Sequence, residues 1–272
     1  MSIYKKIVFL EMSPNGPNKH HIEILKNNDK CDFFYVTFKK PVENDDSFLG
    51  FFPNTVWGET RQKLFELVQK KYDYYCFIDD DIIFNSCTPK SFIEQLLIDI
   101  DNIEPVVLAP YYTNEKPGNP VYKMKQESGY ALKYFSNCAF KAYHKDYLNY
   151  FFPIDMKYGG QYASAFFLGL LELIFKNKII ISHNITYTNP PEQIANYSNA
   201  KNYEIKAWNE YKTYLNMNLN NVDRQYFIRN YVNKYYNILE KDKYKQNIII
   251  DFASVYKNNN NIFHNRYKIN IT

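Results

Sequence analysis

Three consecutive carboxylates, Asp79-Asp80-Asp81, follow the apolar run Tyr74-Tyr75-Cys76-Phe77-Ile78. Acids at the end of a buried strand are costly unless something positive compensates them. In an extended strand, residues i and i+2 share a face, so Asp79 and Asp81 are expected to point the same way. Two acceptor-only side chains converging on one face suit a hard divalent cation held through oxygen. Mg²⁺ or Mn²⁺ takes few protein ligands and completes its shell with phosphate oxygens and water. A polar strand end with solvated acids would carry the same residues, and that reading stays open here.

The elements that must position this cluster follow from hydrophobic patterning. Ile7-Val-Phe-Leu-Glu-Met is a short apolar run that ends at Ser13-Pro14-Asn15-Gly16-Pro17, a strand entering a loop. His21 to Lys26 has a helical pattern, and Asp32-Phe-Phe-Tyr-Val-Thr-Phe reads as the next strand. Leu64, Phe65, Leu67 and Val68 mark one face of a helix over Thr60–Lys70, which feeds directly into the aspartate strand. That strand is expected to continue through Ile82-Ile83-Phe84. Ser91–Ile100 is again helical, and Pro105–Pro110 is a buried strand. Tyr111 to Gln126 is expected to be a long loop of the functional kind. Further on, Cys138–Tyr143 reads as a strand, Gln161–Phe175 as a buried helix, and Lys178–Ser182 as a strand ending at His183. Strands alternating with helices predict an α/β fold with a nucleotide-binding opening.

Composition shifts near residue 200. Residues 1–199 form the expected catalytic domain. Residues 200–272 read as a mostly helical extension packed on it, with helices at about Tyr203–Asn216 and Val222–Asp242. From Asn202 onward basic residues outnumber acidic ones by about two to one. The net charge of +4 gives no bulk electrostatic case for a nucleic-acid partner. The 27 tyrosines and 21 phenylalanines among only 8 glycines fit a codon-biased globular chain, so tyrosine richness alone does not indicate stacking on sugars or bases. Cys31, Cys76, Cys87 and Cys138 show no metal-ligand spacing, which favours a reducing compartment. With no signal peptide pattern and no apolar run long enough to span a bilayer, the chain reads as soluble and cytoplasmic. A peripheral membrane contact through the basic helices is compatible with the sequence but not required by it.

The run from Trp57 to Phe84, with Arg61 on the helix and YDYYCFIDDDIIF after it, resembles the central region of GT-A glycosyltransferases, where an apolar strand ends in a D-x-D motif. The resemblance is looser over residues 5 to 190. It implies a Rossmann-like mixed sheet flanked by helices and a sugar moved from a nucleoside diphosphate donor to a glycan or lipid-linked saccharide acceptor, with Mn²⁺ or Mg²⁺. Asp79 would approach the ribose or the metal, Asp81 would coordinate the metal, and Asp80 would lie in the same nucleotide site. Arg61 would reach the nucleotide, and the loop from Glu11 to Asn15 would lie beside its base. His183 would supply a third metal ligand. Asp155, in Pro153-Ile-Asp155-Met-Lys-Tyr-Gly159-Gly160, would be the base for the acceptor hydroxyl. The acid usually found at the start of the following helix is absent, since Gln161-Tyr-Ala-Ser stands there. Asp155 is equally compatible with a loop acid or helix cap, and Glu127 and Glu192 remain alternatives.

Two rival readings remain. A phosphohydrolase of the haloacid-dehalogenase type also ends its nucleophile strand in D-x-D, but that motif opens its domain and needs a downstream acidic pair that is not evident here. A non-catalytic carbohydrate- or nucleic-acid-binding module could use Tyr226, Tyr231, Tyr235 and Tyr236 with Arg224, Arg229 and Lys234. However, Ile228, Val232, Tyr235 and Leu239 fall at helical spacing, and packing explains them more simply. This second rival leaves the aspartates unexplained.

Overall fold

The computed structural model describes residues 7–26, 28–68, 72–85, 89–113, 129–132, 139–145, 147–148, 152, 179–189, 217–218 and 249–250. Among these, nine strands form one mixed sheet. In chain order come β1 (Ile7–Ser13), a single turn α1 (Lys19–His21) continuing as a π-helical turn (Ile22–Lys26), β2 (Cys31–Thr37), β3 (Phe48–Phe51) and α2 (Trp57–Val68). After these follow β4 (Tyr74–Asp79), β5 (Ile83–Phe84), α3 (Pro89–Ile103), β6 (Val107–Tyr112), β7 (Tyr130–Leu132), β8 (Phe140–His144) and β9 (Ile179–Thr188). A separate two-residue pair, β10 (Met217–Asn218) with β11 (Ile249–Ile250), is antiparallel. The expected helices at Gln161–Phe175, Tyr203–Asn216 and Val222–Asp242 lie outside the described residues. None of the described helices is long and apolar enough to cross a membrane.

The sheet order is β3-β2-β1-β4-β8-β6-β9-β5, with β7 paired to β9. β1, β2, β3 and β4 run parallel. The chain first builds outward from β1 through β2 to β3, then crosses back by α2 to lay β4 on the other side of β1. That reversal opens a crevice at the carboxyl ends of β1 and β4, the position where open α/β sheets bind ligands. Met12 and Asp79 are register partners at that edge.

Alternation along the strands sorts their side chains onto two faces. Val8, Leu10 and Met12 of β1 join Tyr75 and Phe77 of β4 beneath Leu64, Phe65 and Val68 of α2. Ile7 and Phe9 join Tyr74, Cys76 and Ile78 beneath Phe92, Ile93, Leu96 and Leu97 of α3. By the same parity Asp79 faces α2, and Glu11 faces α1 and α3. The cysteines that can be described, Cys31 and Cys76, are buried free thiols.

The sequence reading errs in several places. β4 ends at Asp79, and Asp80 and Asp81 form a turn, with the Ile82 N–H directed at the Asp79 carbonyl at 3.4 Å. Ile83 and Phe84 then pair with Thr188 and Tyr187 of β9 rather than extending β4. The i, i+2 rule therefore does not govern Asp79 and Asp81, since only Asp79 is in the strand. β9 continues through His183 to Thr188 instead of stopping, and Tyr111 and Tyr112 belong to β6 rather than to a loop.

Candidate functional site

Asp79 is fixed from the α2 side. The Arg61 Nη2 donates to Asp79 Oδ1 at 2.8 Å, with Arg61 only 2% exposed and the Asp79 side chain 24% exposed. The guanidinium lies 3.8 Å above the Trp57 ring, one helical turn earlier on α2, and 5.4 Å from the Phe77 ring. Stacking on Trp57 orients the planar fork towards the end of β4. Arg61 thus reaches the carboxylate. Its contacts describe a residue that presents Asp79 and offsets its charge. Just before β8, the Ala139 carbonyl accepts from the Asp79 N–H at 2.9 Å, closing the strand end.

The turn itself is fixed from the other face. Asn18 Nδ2 donates to the Asp80 carbonyl at 2.8 Å, and its Oδ1 accepts from the His20 N–H at 2.9 Å, capping α1. His21 Nε2 lies 2.9 Å from the Ile82 carbonyl, and Nδ1 lies 2.7 Å from Glu11 Oε2. Glu11 Oε1 accepts from the Asn18 N–H at 3.0 Å. Glu11 and His21 are both fully buried. The Glu11 carboxylate, expected beside a nucleotide base, therefore faces inward and anchors the loop that follows β1.

Electrostatics concentrate on the three aspartates. Burial pushes the Asp79 carboxyl up to about 6 against the pull of Arg61, with the Asp81 charge adding to the rise. Burial, and then repulsion from Glu11, Asp81 and Asp79, pushes Asp80 up to about 7. Burial also raises Asp81, opposed by its own backbone N–H and by His21. Each carboxylate is thus held where the ionised form is disfavoured, and a cation would relieve all three.

His183 lies elsewhere in the arrangement. The β6–β9 register steps from Pro110↔Ser182 to Tyr111↔Thr186, so residues 183–185 bulge out of the ladder. The His183 ring sits against Tyr111 at 4.6 Å between centroids, and the His183 backbone N–H donates to the Gly129 carbonyl at 2.8 Å. Among the described residues no three His, Cys, Asp or Glu side chains converge as a metal shell. His183 is therefore not gathered with Asp79 and Asp81, contrary to the expectation for it; its ring is turned onto Tyr111 at the bulge. Mg²⁺ bound mainly through phosphates and water needs only one or two protein carboxylates, which the donor set of Asp79 and Asp81 supplies. Asp155 lies outside the described residues.

Sequence reasoning missed Asn18, His21 and Trp57. One signal was available: Glu11 interrupts an otherwise apolar strand, and a buried carboxylate needs a partner close in the fold.

No protein-family model matches the chain, and no curated protein sequence matches it. Among solved structures, TarS 1-349 from S. aureus superposes with a TM-score of 0.56 at 12% identity, covering 89% of this chain and 75% of that one. GalNAc-T7, solved with UDP, GalNAc and Mn²⁺, gives a TM-score of 0.53 at 8% identity, covering 78% of this chain and 50% of that one. The mixed sheet flanked by helices is the GT-A-like fold that this chain shares with these glycosyltransferase structures.

Proposed function

We propose that the protein is a glycosyltransferase that takes a sugar from a nucleoside diphosphate donor, with a divalent cation held at Asp79 and Asp81. The observation that carries this is the placement of the three aspartates at the carboxyl ends of β1 and β4, where the sheet topology reverses. The GT-A-like fold supports the reading, and the UDP and Mn²⁺ in the GalNAc-T7 structure make that pair the first to try. A haloacid-dehalogenase arrangement would place the acidic motif on the first strand, whereas here it ends β4.

A bound divalent cation would neutralise the charge that builds on the departing diphosphate. Arg61 and Trp57 hold Asp79 at the crevice edge, and Asn18 and His21 hold the turn that carries Asp80 and Asp81. Partial burial of the cluster strengthens the charge interactions within it. Asp155 is assigned as the group that accepts the proton of the acceptor hydroxyl, and a glycan or lipid-linked saccharide as the acceptor.

The test is calorimetric titration with UDP, GDP and CDP, each with and without Mn²⁺. One diphosphate is expected to bind in a metal-dependent way, and Asp81→Ala should abolish that binding with the fold intact. Failure of every diphosphate to bind under any metal condition would overturn the proposal.

A further inference from the structure

Buried Glu11 and His21, with half-buried Asn18, make a continuous path from β1 to the aspartate turn. The Ile82 carbonyl can only accept, so His21 Nε2, 2.9 Å away, carries a hydrogen and donates. At 2.7 Å, the Nδ1–Oε2 contact then needs a second hydrogen between ring and carboxyl. Whichever atom carries it, the Glu11–His21 pair is neutral as a unit. After burial, Glu11 is the largest influence raising Asp80, so the cluster feels this carboxylate even with His21 beside it. Asn18 adds the second tie, from its side-chain amide to the Asp80 carbonyl at 2.8 Å. The backbone carbonyls on either side of Asp81, those of Asp80 and Ile82, are therefore each held by a side chain of the α1 turn.

We infer that Asn18 and His21, backed by Glu11, are positioning residues that set the direction of the Asp81 carboxylate for a divalent cation. This rests on the proposed donor site. In this role none of the three has to touch the ligand. They act by fixing the peptide group before Asp81 and the one after Ile82, so that the loop after β1 and the metal-binding turn move as one piece. A carboxylate on a turn held at only one side loses pre-organisation, and the cation binds more weakly although every ligand atom is still present.

Asn18→Ser separates this role from folding. Serine caps α1 as well as asparagine, but its hydroxyl is too short to reach the Asp80 carbonyl. In the full chain, titrating Mn²⁺ at fixed UDP should give a half-maximal Mn²⁺ concentration about five- to tenfold higher than wild type, the loss expected of one hydrogen bond. UDP affinity at saturating Mn²⁺ and the melting temperature should stay close to wild type, a split that a purely structural role would not produce. The Mn²⁺ electron paramagnetic resonance signal gives a second readout independent of turnover. His21 supplies a second pair of variants. His21→Gln keeps a donor near the Ile82 carbonyl, and His21→Asn keeps only the Glu11 side, so His21→Asn should weaken Mn²⁺ more. Unchanged Mn²⁺ dependence in Asn18→Ser, or the reverse order for the His21 pair, overturns the inference while leaving the donor site standing. Absence of Mn²⁺-dependent UDP binding in the wild-type chain removes both.

Discussion

Replacing Asp80 by asparagine should make the protein more stable, and only above the acid range. Asp80 is pushed from 3.8 up to about 7 by burial and by Glu11, Asp81 and Asp79. A carboxyl that holds its proton more tightly in the folded state adds stability fully below its unfolded value. That stability is lost as pH rises through the folded value. Between 3.8 and about 7 the native state therefore pays an increasing cost for ionising this residue. At about 1.4 kcal/mol per pH unit, the ceiling is about 4 kcal/mol. Partial solvent screening and the burial of the new amide remove part of that, leaving an expected gain of about 2 kcal/mol near pH 8. For a chain of this size the melting temperature should rise by roughly 4 to 8 °C. Circular dichroism melts of both proteins in chelator, from about pH 3.5 to pH 8, check it; the gain should be absent at the acid end and complete at the basic end. Saturating Mn²⁺ should narrow the gap, because a cation relieves the repulsion that the amide removes. Equal melting temperatures near pH 8, or a gain of the same size at both ends, would show that the aspartates do not crowd one another as described.

Three further changes probe the site and the sheet around it. Arg61→Leu leaves Asp79 buried without its cation and should cost about 3 to 5 kcal/mol in urea melts, and Arg61→Lys should recover little because it loses the fork and the stacking on Trp57; a near-wild-type midpoint for Arg61→Leu would sink this account. Thr37 is fully buried, and its hydroxyl makes no hydrogen bond among the described residues. Thr37→Val should therefore be neutral or stabilising by up to about 1 kcal/mol, and a clear loss of stability would mean that the hydroxyl has a partner. Gly129 has φ +78° and a Cβ there would lie 2.6 Å from Asn184 Oδ1, so Gly129→Ala should cost on the order of 1 to 3 kcal/mol. Combining it with Asn184→Ala should return the steric part but not the backbone part, and strict additivity would refute that division.

Much of the frame was legible because apolar strands buried on both faces write themselves as continuous runs. Ile7–Met12 and Tyr74–Ile78 are of that kind, and the amphipathic pattern of α2 fixed the crossover between them. The short strand Phe48–Phe51 was not legible, because it is only four residues long and none of them is fully buried. β7 was missed for the same reason of length. The extent of β9 could not be read, since its bulge places His183, Asn184 and Thr186 among apolar residues without a period of two. At the site, the carboxylates announced themselves, but their supports did not. Asn18 and His21 act through backbone carbonyls more than sixty residues away in sequence, and no local pattern records such a partner.

The parity of two strands explains why the acids divide as they do. β1 and β4 are parallel neighbours in register, Met12 beside Asp79, so Glu11 and Asp79 project from adjacent strands onto opposite faces of the sheet. One face is covered by α2 and the other by α1 and α3, and each buried acid meets a nitrogen base from the helix on its own side, Arg61 for Asp79 and His21 for Glu11. Arg61 and His21 offset the two strand acids without cancelling the cluster, since Asp79, Asp80 and Asp81 all stay raised where the chain leaves the sheet. A bound cation is then the simplest way to match what remains, and the fold puts that need at the crevice where β1 and β4 diverge.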